Sequence, residues 1–376
     1  MQHGNISSRR LRRSLSVSLA TLVACSLLGV PAFSATRKAS ARHGVRYLIG
    51  RQHADGSFPG FSPLGSTADA ALSMSIAGRG RAQVNAALTY LADHVSEATL
   101  GQKAKIVLAA VAAGKDLATY AGGDLPAQLE ASQQPSGQYA EDGDFSAVTT
   151  HALVSLALAA TGQPINDAAV DWLAAAQCPD GGWQFDEPHQ DGEDEHCFDS
   201  SVDAEGNPVD FSTSDSNTTS YAVQAIATHE HPIDLTADPF AYFPLTKDPA
   251  KGGYRYSHET SQFGSKSYTD ANSTSLVIQA YLTCETCHFT PPIGALKDLQ
   301  YALCGELQGA FAFTWQKVDG AFKRVPSKSE AKAEDDNDGS TVAGATIGAI
   351  PGLMLKPLPV GPQPLDKGAP AHRSCA

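Results

Sequence analysis

The sequence predicts an all-α protein, an α/α toroid of six helical hairpins, and two observations carry that prediction. One is a short motif in which glutamine is followed four residues later by glycine and six residues later by an aromatic residue. Full copies begin at Gln52, Gln133 and Gln177. The other is that Ala-rich segments with helical spacing of apolar residues flank these copies. A motif that recurs along a chain in this way indicates stacked structural repeats.

Partial copies extend the repeat. Asp248 and Gly305 begin segments that keep the glycine and the aromatic residue but replace the glutamine. Gln52 and Gln133 lie two periods of about 40 residues apart, which predicts a degenerate unit between them. The six predicted hairpins pair residues 39–51 with 66–77, 84–94 with 104–113, 125–132 with 146–160, 166–176 with 217–228, 234–243 with 272–282, and 293–307 with 340–350.

The second helix of each hairpin is predicted to form the inner wall of a ring. Three of these helices begin at Asn217, Asn272 and Gly339 and carry Ser, Thr or Asn in their first turn. Such side chains accept hydrogen bonds from the unpaired amides of a helix N-terminus. Neither end of the array carries a polar capping helix, so closure into a ring is favoured over an open solenoid.

The glutamine-glycine-aromatic repeat, followed by a Ser/Thr-initiated helix, resembles the prenyltransferase/squalene-cyclase repeat. That superfamily of α/α toroids includes triterpene cyclases, protein prenyltransferase β subunits and the helical domain of cobalamin carriers. The resemblance covers about residues 40–352, and it is specific for the fold. It does not select an activity, because one fold can host several functions.

The first 35 residues predict an export signal that is removed. Arginines lie between residues 9 and 13, an apolar run covers 15–30, and small residues at 32–35 offer a cleavage site. The alternative, a membrane anchor, is disfavoured because the run is short and contains serines. The protein is therefore expected to be secreted and extracellular, with a toroid at 36–352, an acidic insertion at 186–215 and a Pro-rich tail at 353–376.

The formal net charge of −13 disfavours a nucleic-acid partner. No second apolar span or polybasic patch predicts membrane contact after signal removal. We expect a monomer.

Cysteine usage predicts disulfides. Removal of the signal leaves an even number of cysteines, which in an exported chain indicates disulfide pairing. A bond between Cys178 and Cys197 would close the acidic insertion, while the pairing of the other four stays open. The predicted disulfide residues are Cys178, Cys197, Cys284, Cys287, Cys304 and Cys375.

Triterpene cyclases of the resembled family use an Asp-x-Asp-Asp motif whose central acid protonates an alkene. The nearest segment here contains Asp336 and Asp338, but Gly339 stands where the last Asp belongs. A solvated acidic loop at a helix start is the simpler interpretation. The aromatic content of 7% also disfavours a cavity that guides carbocations.

Metal and haem sites are weaker alternatives. Glu195, His196, Cys197 and Asp199 could contribute to a prenyltransferase-like zinc site, but the thiol is expected in a disulfide. No metal site is therefore predicted, and no cofactor, although the acidic insertion could bind calcium. Its oxygen donors would be Asp191, Glu193, Asp194 and Asp199. Cys284 and Cys287 with His288 match a haem-attachment string, for which disulfide bonding is preferred.

Candidate cavity residues come from aligning the inner helices. One aligned column contains Asp69, His151, Tyr221, Leu276 and Ala343, and a second, three residues on, contains Leu72, Val154, Gln224, Gln279 and Thr346. Residues three apart share a helix face. Asp69 and His151 could form an acid–base pair, with Asp336 and Asp338 as further catalytic candidates. Tyr221, Gln224 and Gln279 could bind a ligand, or these groups could simply satisfy one another between packed helices.

Two functions follow from these observations. The first is a non-catalytic protein that binds a small amphipathic ligand or a surface partner, resembling the helical half of cobalamin carriers. The alternative is an enzyme of the terpenoid-cyclase or prenyltransferase type that acts on an isoprenoid in the cavity of the toroid. The sequence does not decide whether the protein is an enzyme.

Overall fold

The computed structural model describes residues 37–143, 147–163, 165–185, 214–231, 233–258, 268–301, 307–336 and 340–366. The predicted export signal, most of the acidic insertion and the last ten residues lie outside these ranges. The helices are α1 (37–49), α2 (Pro63–Ala77), α3 (Arg81–Asp93), α4 (Leu100–Ala112), α5 (Leu125–Ala131), α6 (Ala147–Ala160), α7 (Asp167–Ala175), α8 (Ser216–Ile226), α9 (Phe243–Thr246), α10 (Ala271–Tyr281), α11 (Ile293–Leu299), α12 (Lys328–Asp336) and α13 (Ser340–Met354).

Six of these helices form a closed inner ring. Helices α2, α4, α6, α8, α10 and α13 each pack against the next one in the chain, and α13 packs back against α2. An outer layer bridges the gaps, since α3 contacts α2 and α4, while α5 contacts α4 and α6. The predicted helical fold is confirmed. The units are not equal, because the fifth outer segment is a 3-10 turn (Pro239–Ala241) followed by the four-residue α9.

The inner helices are buried on nearly all sides, which is typical of a helix enclosed by others. In α6 the sequence AVTTHALVSLALAA places small or apolar residues on almost every face. Small residues also set the distance between neighbours: an added Cβ on Gly348 of α13 would overlap the side chain of Asn272 on α10. Glycine at this position allows the last inner helix to close the ring.

The repeat motif forms a joint between an outer helix, an inner helix and the next unit. The side chain of Gln177 donates to the Gly181 carbonyl at 3.0 Å and to the Ala237 carbonyl at 2.9 Å, and it accepts from the Ala237 amide. A Cβ on Gly181 would lie only 2.7 Å from the Asp238 carbonyl, and the φ of Gly181 is +90°. Close approach and backbone conformation therefore both require glycine.

The aromatic residue of each joint is tied to an inner helix through its backbone. The amide of Trp183 donates to the Thr219 hydroxyl at 2.9 Å, and Trp183 itself is fully buried. The same bond, also at 2.9 Å, recurs in the joints of the first, third, fifth and sixth hairpins. The second hairpin lacks the motif. The acceptors of the bond are Thr67 for Phe58, His151 for Tyr139, Thr274 for Tyr254 and Thr346 for Phe311.

The sixth joint corrects one detail of the predicted repeat. The residue that acts as its glutamine is Gln300, not the aligned Gly305, which lies outside the described residues. The side chain of Gln300 donates to the Gly309 carbonyl at 2.9 Å and to the Ser40 carbonyl at 3.0 Å. The motif was hidden because the loop between the glutamine and the glycine is longer here. Ser40 lies in α1, so this joint connects the last unit to the first.

The all-α prediction missed two small antiparallel sheets. Strands β1 (Trp183–Gln184) and β2 (Ser214–Asp215) flank the acidic insertion, and β3 (Thr314–Val318) and β4 (Ala321–Val325) form a hairpin. Lys251 stacks on the hairpin, with its ammonium 3.8 Å from the centre of the Trp315 ring. The hairpin lies between α11 and α12, where the predicted repeat contains only a turn.

Helix α13 continues through Pro351, where the sequence predicts that it ends. Proline lacks an amide hydrogen and leaves the carbonyl of the residue four positions earlier without its helical partner. That carbonyl belongs to Ile347, and the hydroxyl of Ser73 on α2 donates to it at 2.9 Å. A tertiary contact thus replaces the missing hydrogen bond.

Cysteines 284 and 287 form a disulfide with a Cα–Cα distance of 5.5 Å. This bond agrees with the preferred interpretation of that string over haem attachment. Cys178 is also disulfide-bonded. The other predicted disulfide residues, Cys197, Cys304 and Cys375, lie outside the described residues.

Replacing Trp183 with alanine is expected to lower the free energy of unfolding by roughly 3–5 kcal/mol, since it leaves a large cavity in the core. It also removes the hydrogen bond from the indole to the Leu173 carbonyl at 2.7 Å. Urea denaturation would measure the change. Trp315→Ala on the hairpin is the control, because Trp315 is only half-buried. Equal losses in the two variants would contradict the assignment of Trp183 to the core joint.

Candidate functional site

The ring encloses a cavity of about 250 Å³. Its wall comes from five of the six inner helices, together with residue 358 in the chain after α13. The lining residues are Ser66, Asp69, Leu72, Ser73, Ile76, Lys105, Asn217, Tyr221, Asn272, Leu276, Gln279, Gly344, Ile347, Gly348, Pro351 and Leu358.

An ion pair lies on the cavity wall. The Lys105 ammonium of α4 lies 2.8 Å from the Asp69 carboxylate of α2. Burial is the largest single influence and lowers the pKa of Lys105, but the charge of Asp69, the interaction with Tyr221 and the hydrogen bond to Asp69 together outweigh it, so the pKa is raised. The ammonium therefore stays charged at neutral pH. The two side chains are 26% and 34% exposed, so both remain accessible from the cavity.

Tyr221 of α8 adds a neutral hydroxyl to this polar region. Burial is the main cause that raises its pKa to about 12, with Lys105 opposing and Asp69 adding to the shift. Asn217 and Asn272 lie near the N-terminal ends of α8 and α10. The side-chain oxygen of Asn272 has no hydrogen-bond partner among the described residues and is buried against Gly348 of α13.

The other part of the cavity is apolar. Leu72, Ile76, Leu276, Ile347 and Leu358 line it, and Ile76 lies near the C-terminal end of α2. Most polar groups therefore lie towards the N-terminal ends of the inner helices and most apolar groups towards their C-terminal ends, with Gln279 near the C-terminal end of α10 as an exception. Such a cavity suits a ligand that has a polar head and an apolar tail.

The joints correct the predicted alignment of the inner helices. Because Thr67, His151, Thr219, Thr274 and Thr346 occupy equivalent positions, the column two residues further on is the one that can face the cavity. That column contains Asp69, Leu153, Tyr221, Leu276 and Gly348, and all of them except Leu153 line the cavity. Two predicted members of the column, His151 and Ala343, were misaligned.

The predicted acid–base pair of Asp69 and His151 is wrong. His151 is fully buried in the third joint, where its Nδ1 accepts from the Tyr139 amide at 2.9 Å and its Nε2 donates to the Ala169 carbonyl at 2.9 Å. Both ring nitrogens are therefore used by the backbone. Burial lowers the pKa of His151 to about 3, against a smaller opposing effect of the bond to Ala169.

The remaining predicted site residues divide into three groups. Gln279, predicted to bind a ligand, lines the cavity. Gln224, also predicted to bind ligand, is fully buried and instead accepts from the Leu358 amide at 2.7 Å. Asp336 ends α12, while Asp338 lies outside the described residues.

Two buried carboxyls were not predicted from the sequence. Asp215 and Asp270 are the N-caps of α8 and α10, where each accepts hydrogen bonds from backbone amides. Burial raises the pKa of Asp215 to about 6 and that of Asp270 to about 7, although those hydrogen bonds oppose the shift. The Asp in front of Ser-Asn-Thr and Ala-Asn-Ser was the available signal for a cap.

The described residues contain no group of three or more metal-ligating side chains of the His, Cys, Asp and Glu type. The acidic insertion, where calcium was considered, lies outside them. No helix in the described part of the chain has the length and hydropathy needed to cross a membrane.

Comparison with family models finds no match, and comparison with curated protein sequences finds none either. Solved structures do match. A protein from Actinoplanes is 15% identical, with a TM-score of 0.52 over 85% of this chain and 99% of that chain. The apo type II terpene cyclase MstE from Scytonema is 14% identical, with a TM-score of 0.54 over 85% of this chain and 98% of that chain.

A second structure of MstE, a substituted form in complex with its substrate geranylgeranyl dihydroxybenzoate, is 13% identical, with a TM-score of 0.53 over 86% of this chain and 98% of that chain. At these identities the likeness concerns the fold. This protein therefore has a terpenoid-cyclase-like α-helical fold.

The His151→Thr variant is expected to be less sensitive to acid than the natural protein. Because folding lowers the pKa of His151 from 6.5 to about 3, its neutral form stabilises the protein above pH 6.5, and this stabilisation is lost as the pH falls towards 3. The loss between pH 7 and pH 5 is about 2 kcal/mol. Thr removes this titration while keeping the acceptor found in the other joints.

Urea denaturation at pH 7 and pH 5 would measure this difference. The exposed His231→Thr serves as the control, since it should leave the dependence on pH unchanged. An equally steep loss of stability in His151→Thr and in the natural protein would show that another group is responsible.

Proposed function

We propose that this protein binds a short isoprenoid with an oxygen-bearing head group inside its helical ring, and that it acts on this ligand as an enzyme of the terpenoid-cyclase type. The observation that carries the proposal is the two-sided cavity, with the Asp69–Lys105 pair towards one end and Leu72, Ile76 and Leu358 towards the other. The fold shared with MstE, which binds an isoprenoid substrate, supports the same ligand class.

The ion pair on the cavity wall indicates which head group the ligand carries. The ion pair of Lys105 and Asp69 is neutral as a unit, and it offers a donor beside an acceptor. A hydroxyl matches both, because it can accept from the ammonium and donate to the carboxylate. Tyr221 adds a further hydroxyl nearby, and Asn272 lines the same cavity. A prenyl alcohol or a prenylated phenol fits this arrangement.

The volume of the cavity limits the length of the isoprenoid chain. Pockets for drug-sized ligands range over roughly 300–1,000 Å³, and this cavity of about 250 Å³ is smaller. An isoprenoid shorter than the geranylgeranyl chain that MstE binds is therefore the proposed ligand. In this proposal the toroid is a ring of six hairpins, and the ligand lies along its axis.

Cyclisation of an alkene needs a protonated acid near the ligand. Asp270 is the candidate, because burial raises its pKa to about 7. It does not itself line the cavity, but it caps α10, whose Asn272 does. Protonation of a terminal alkene would place positive charge on the chain, and loss of a proton from the cyclised cation would return the acid to its initial state. The product is then an isomer of the substrate.

Non-catalytic binding, the function expected first from the sequence, remains the second candidate. One observation favours it: the carboxyl that lines the cavity in the described part of the chain, Asp69, is held by Lys105. Asp270 in turn is occupied as the cap of α10, where it accepts from the Ser273 amide at 2.7 Å, and it does not line the cavity. The fold comparisons favour the enzyme, since the named neighbours are terpene cyclases.

Lys105→Met should weaken the binding of geraniol or farnesol by roughly 10–100-fold, the effect of losing a hydrogen bond to a charged group. Isothermal titration calorimetry would measure the affinity. Lys103→Met is the matched control, because Lys103 lies on the same helix and does not line the cavity. Equal affinities in the Lys105 and Lys103 variants would overturn the assignment of the head-group site.

Asp270→Asn should abolish turnover while binding persists, because Asn still caps the helix but cannot supply the proton. The assay is incubation with farnesol or geranylgeranyl dihydroxybenzoate, followed by liquid chromatography and mass spectrometry. A product of unchanged mass and shifted retention time indicates cyclisation. Asp215→Asn is the control variant. Binding without such a product in the natural protein would favour the non-catalytic candidate.

A further inference from the structure

The chain does not leave the ring after α13. Residues 355–366, here called the C-terminal strap, cross the ends of the inner helices, although the sequence predicts only a Pro-rich tail. The Gln363 amide donates to the carbonyl of Ala112, the last residue of α4, at 2.8 Å. The Asp366 amide donates to the carbonyl of Gly78, directly after α2, at 3.1 Å. The strap therefore lies across the C-terminal side of the ring.

Side chains add to this attachment at the far end of the strap. Arg79 forms an ion pair with Asp366, and the Arg81 guanidinium donates to the Leu365 carbonyl. Leu365 is buried, as is Val360 in the middle of the strap. Arg79 lies between α2 and α3, and Arg81 is the first residue of α3. The ring therefore holds the strap at more than one point.

The near end of the strap is held by Gln224. This residue of α8 is fully buried, and its side-chain oxygen accepts from the Leu358 amide at 2.7 Å. Its side-chain nitrogen donates to the Ser220 carbonyl at 2.9 Å, which fixes the orientation of the amide group. A buried amide with both ends bonded is costly to disturb. Gln224 thus positions Leu358 and does not contact the ligand.

Leu358 closes the apolar end of the cavity. Its side chain is 6% exposed and lines the cavity together with Pro351 and Ile76, which lie near the C-terminal ends of α13 and α2. Protein interiors are close-packed, so this wall cannot recede without loss of contacts. The depth available to an apolar chain is therefore limited by one side chain of the strap.

We propose that the C-terminal strap is the floor of the cavity and that Leu358 is the residue that determines the longest isoprenoid chain the cavity accepts. This inference rests on the proposed function for the identity of the ligand. The distinction between chain lengths should be sharp, because each methylene that fits or fails to fit an apolar pocket changes affinity by roughly tenfold or more.

The test compares geraniol, farnesol and geranylgeraniol, which differ by one isoprene unit each, as ligands of the natural protein, Leu358→Ala and Leu358→Val. Calorimetry is expected to show a preference for the shorter alcohols in the natural protein. Leu358→Ala should bind the alcohol one unit longer at least ~10-fold more tightly than the natural protein does. Leu358→Val, which disturbs the fold less, should give a smaller change in the same direction.

Val360→Ala is the matched control. It removes a buried apolar side chain from the same strap, but Val360 does not line the cavity. Its chain-length preference should equal that of the natural protein. An unchanged preference in folded Leu358→Ala, or an equal shift in Val360→Ala, would overturn the role of Leu358.

A measurement that needs no isoprenoid separates this inference from the proposed function. Crystals of the natural protein and of Leu358→Ala under xenon pressure would show the volume of the apolar end directly. More xenon at residue 358 in the variant, combined with no binding of any prenyl alcohol, would support Leu358 as the floor of the cavity and refute the proposed ligand. Equal xenon occupancy in both proteins would overturn the floor itself.

Discussion

The structure depends on one hydrogen bond, which occurs in five of its joints. The backbone amide of the motif's aromatic residue donates to a side chain on the following inner helix, and the distance is 2.9 Å each time. A buried amide without a partner is costly, so the bond fixes how far each of these five inner helices is rotated about its axis. The rotation in turn selects which residues face the centre of the ring.

The same constraint explains why the third joint can use histidine. His151 replaces the Thr of the other joints, and its ring reaches the Tyr139 amide on one side and the Ala169 carbonyl on the other. It also packs against Trp172, with ring centres 4.6 Å apart. A residue whose type suggests acid–base chemistry is therefore a structural part of the repeat. Because it is buried in its neutral form, the fold is expected to lose stability at acid pH.

The cavity combines an ion pair with an apolar floor, and the two come from different parts of the chain. Lys105 and Asp69 belong to neighbouring inner helices near the start of the chain, whereas Leu358 arrives from the strap after the last helix. Closure of the ring brings them together. The head-group specificity and the chain-length limit of the proposed ligand are therefore separable, and each can be altered by its own variant.

The sequence by itself determined the helical repeat, its joints and the approximate helix positions, because these depend on local spacing and on capping residues such as Asn166. It also predicted that Asp69, Tyr221 and Gln279 face the cavity, which they line. Only the tertiary structure decided the register of α6 and α13, the role of Gln300, the partner of Asp69 and the course of the strap. A local pattern cannot show these features, since each depends on contacts between residues far apart in the chain, such as Gln224 with Leu358.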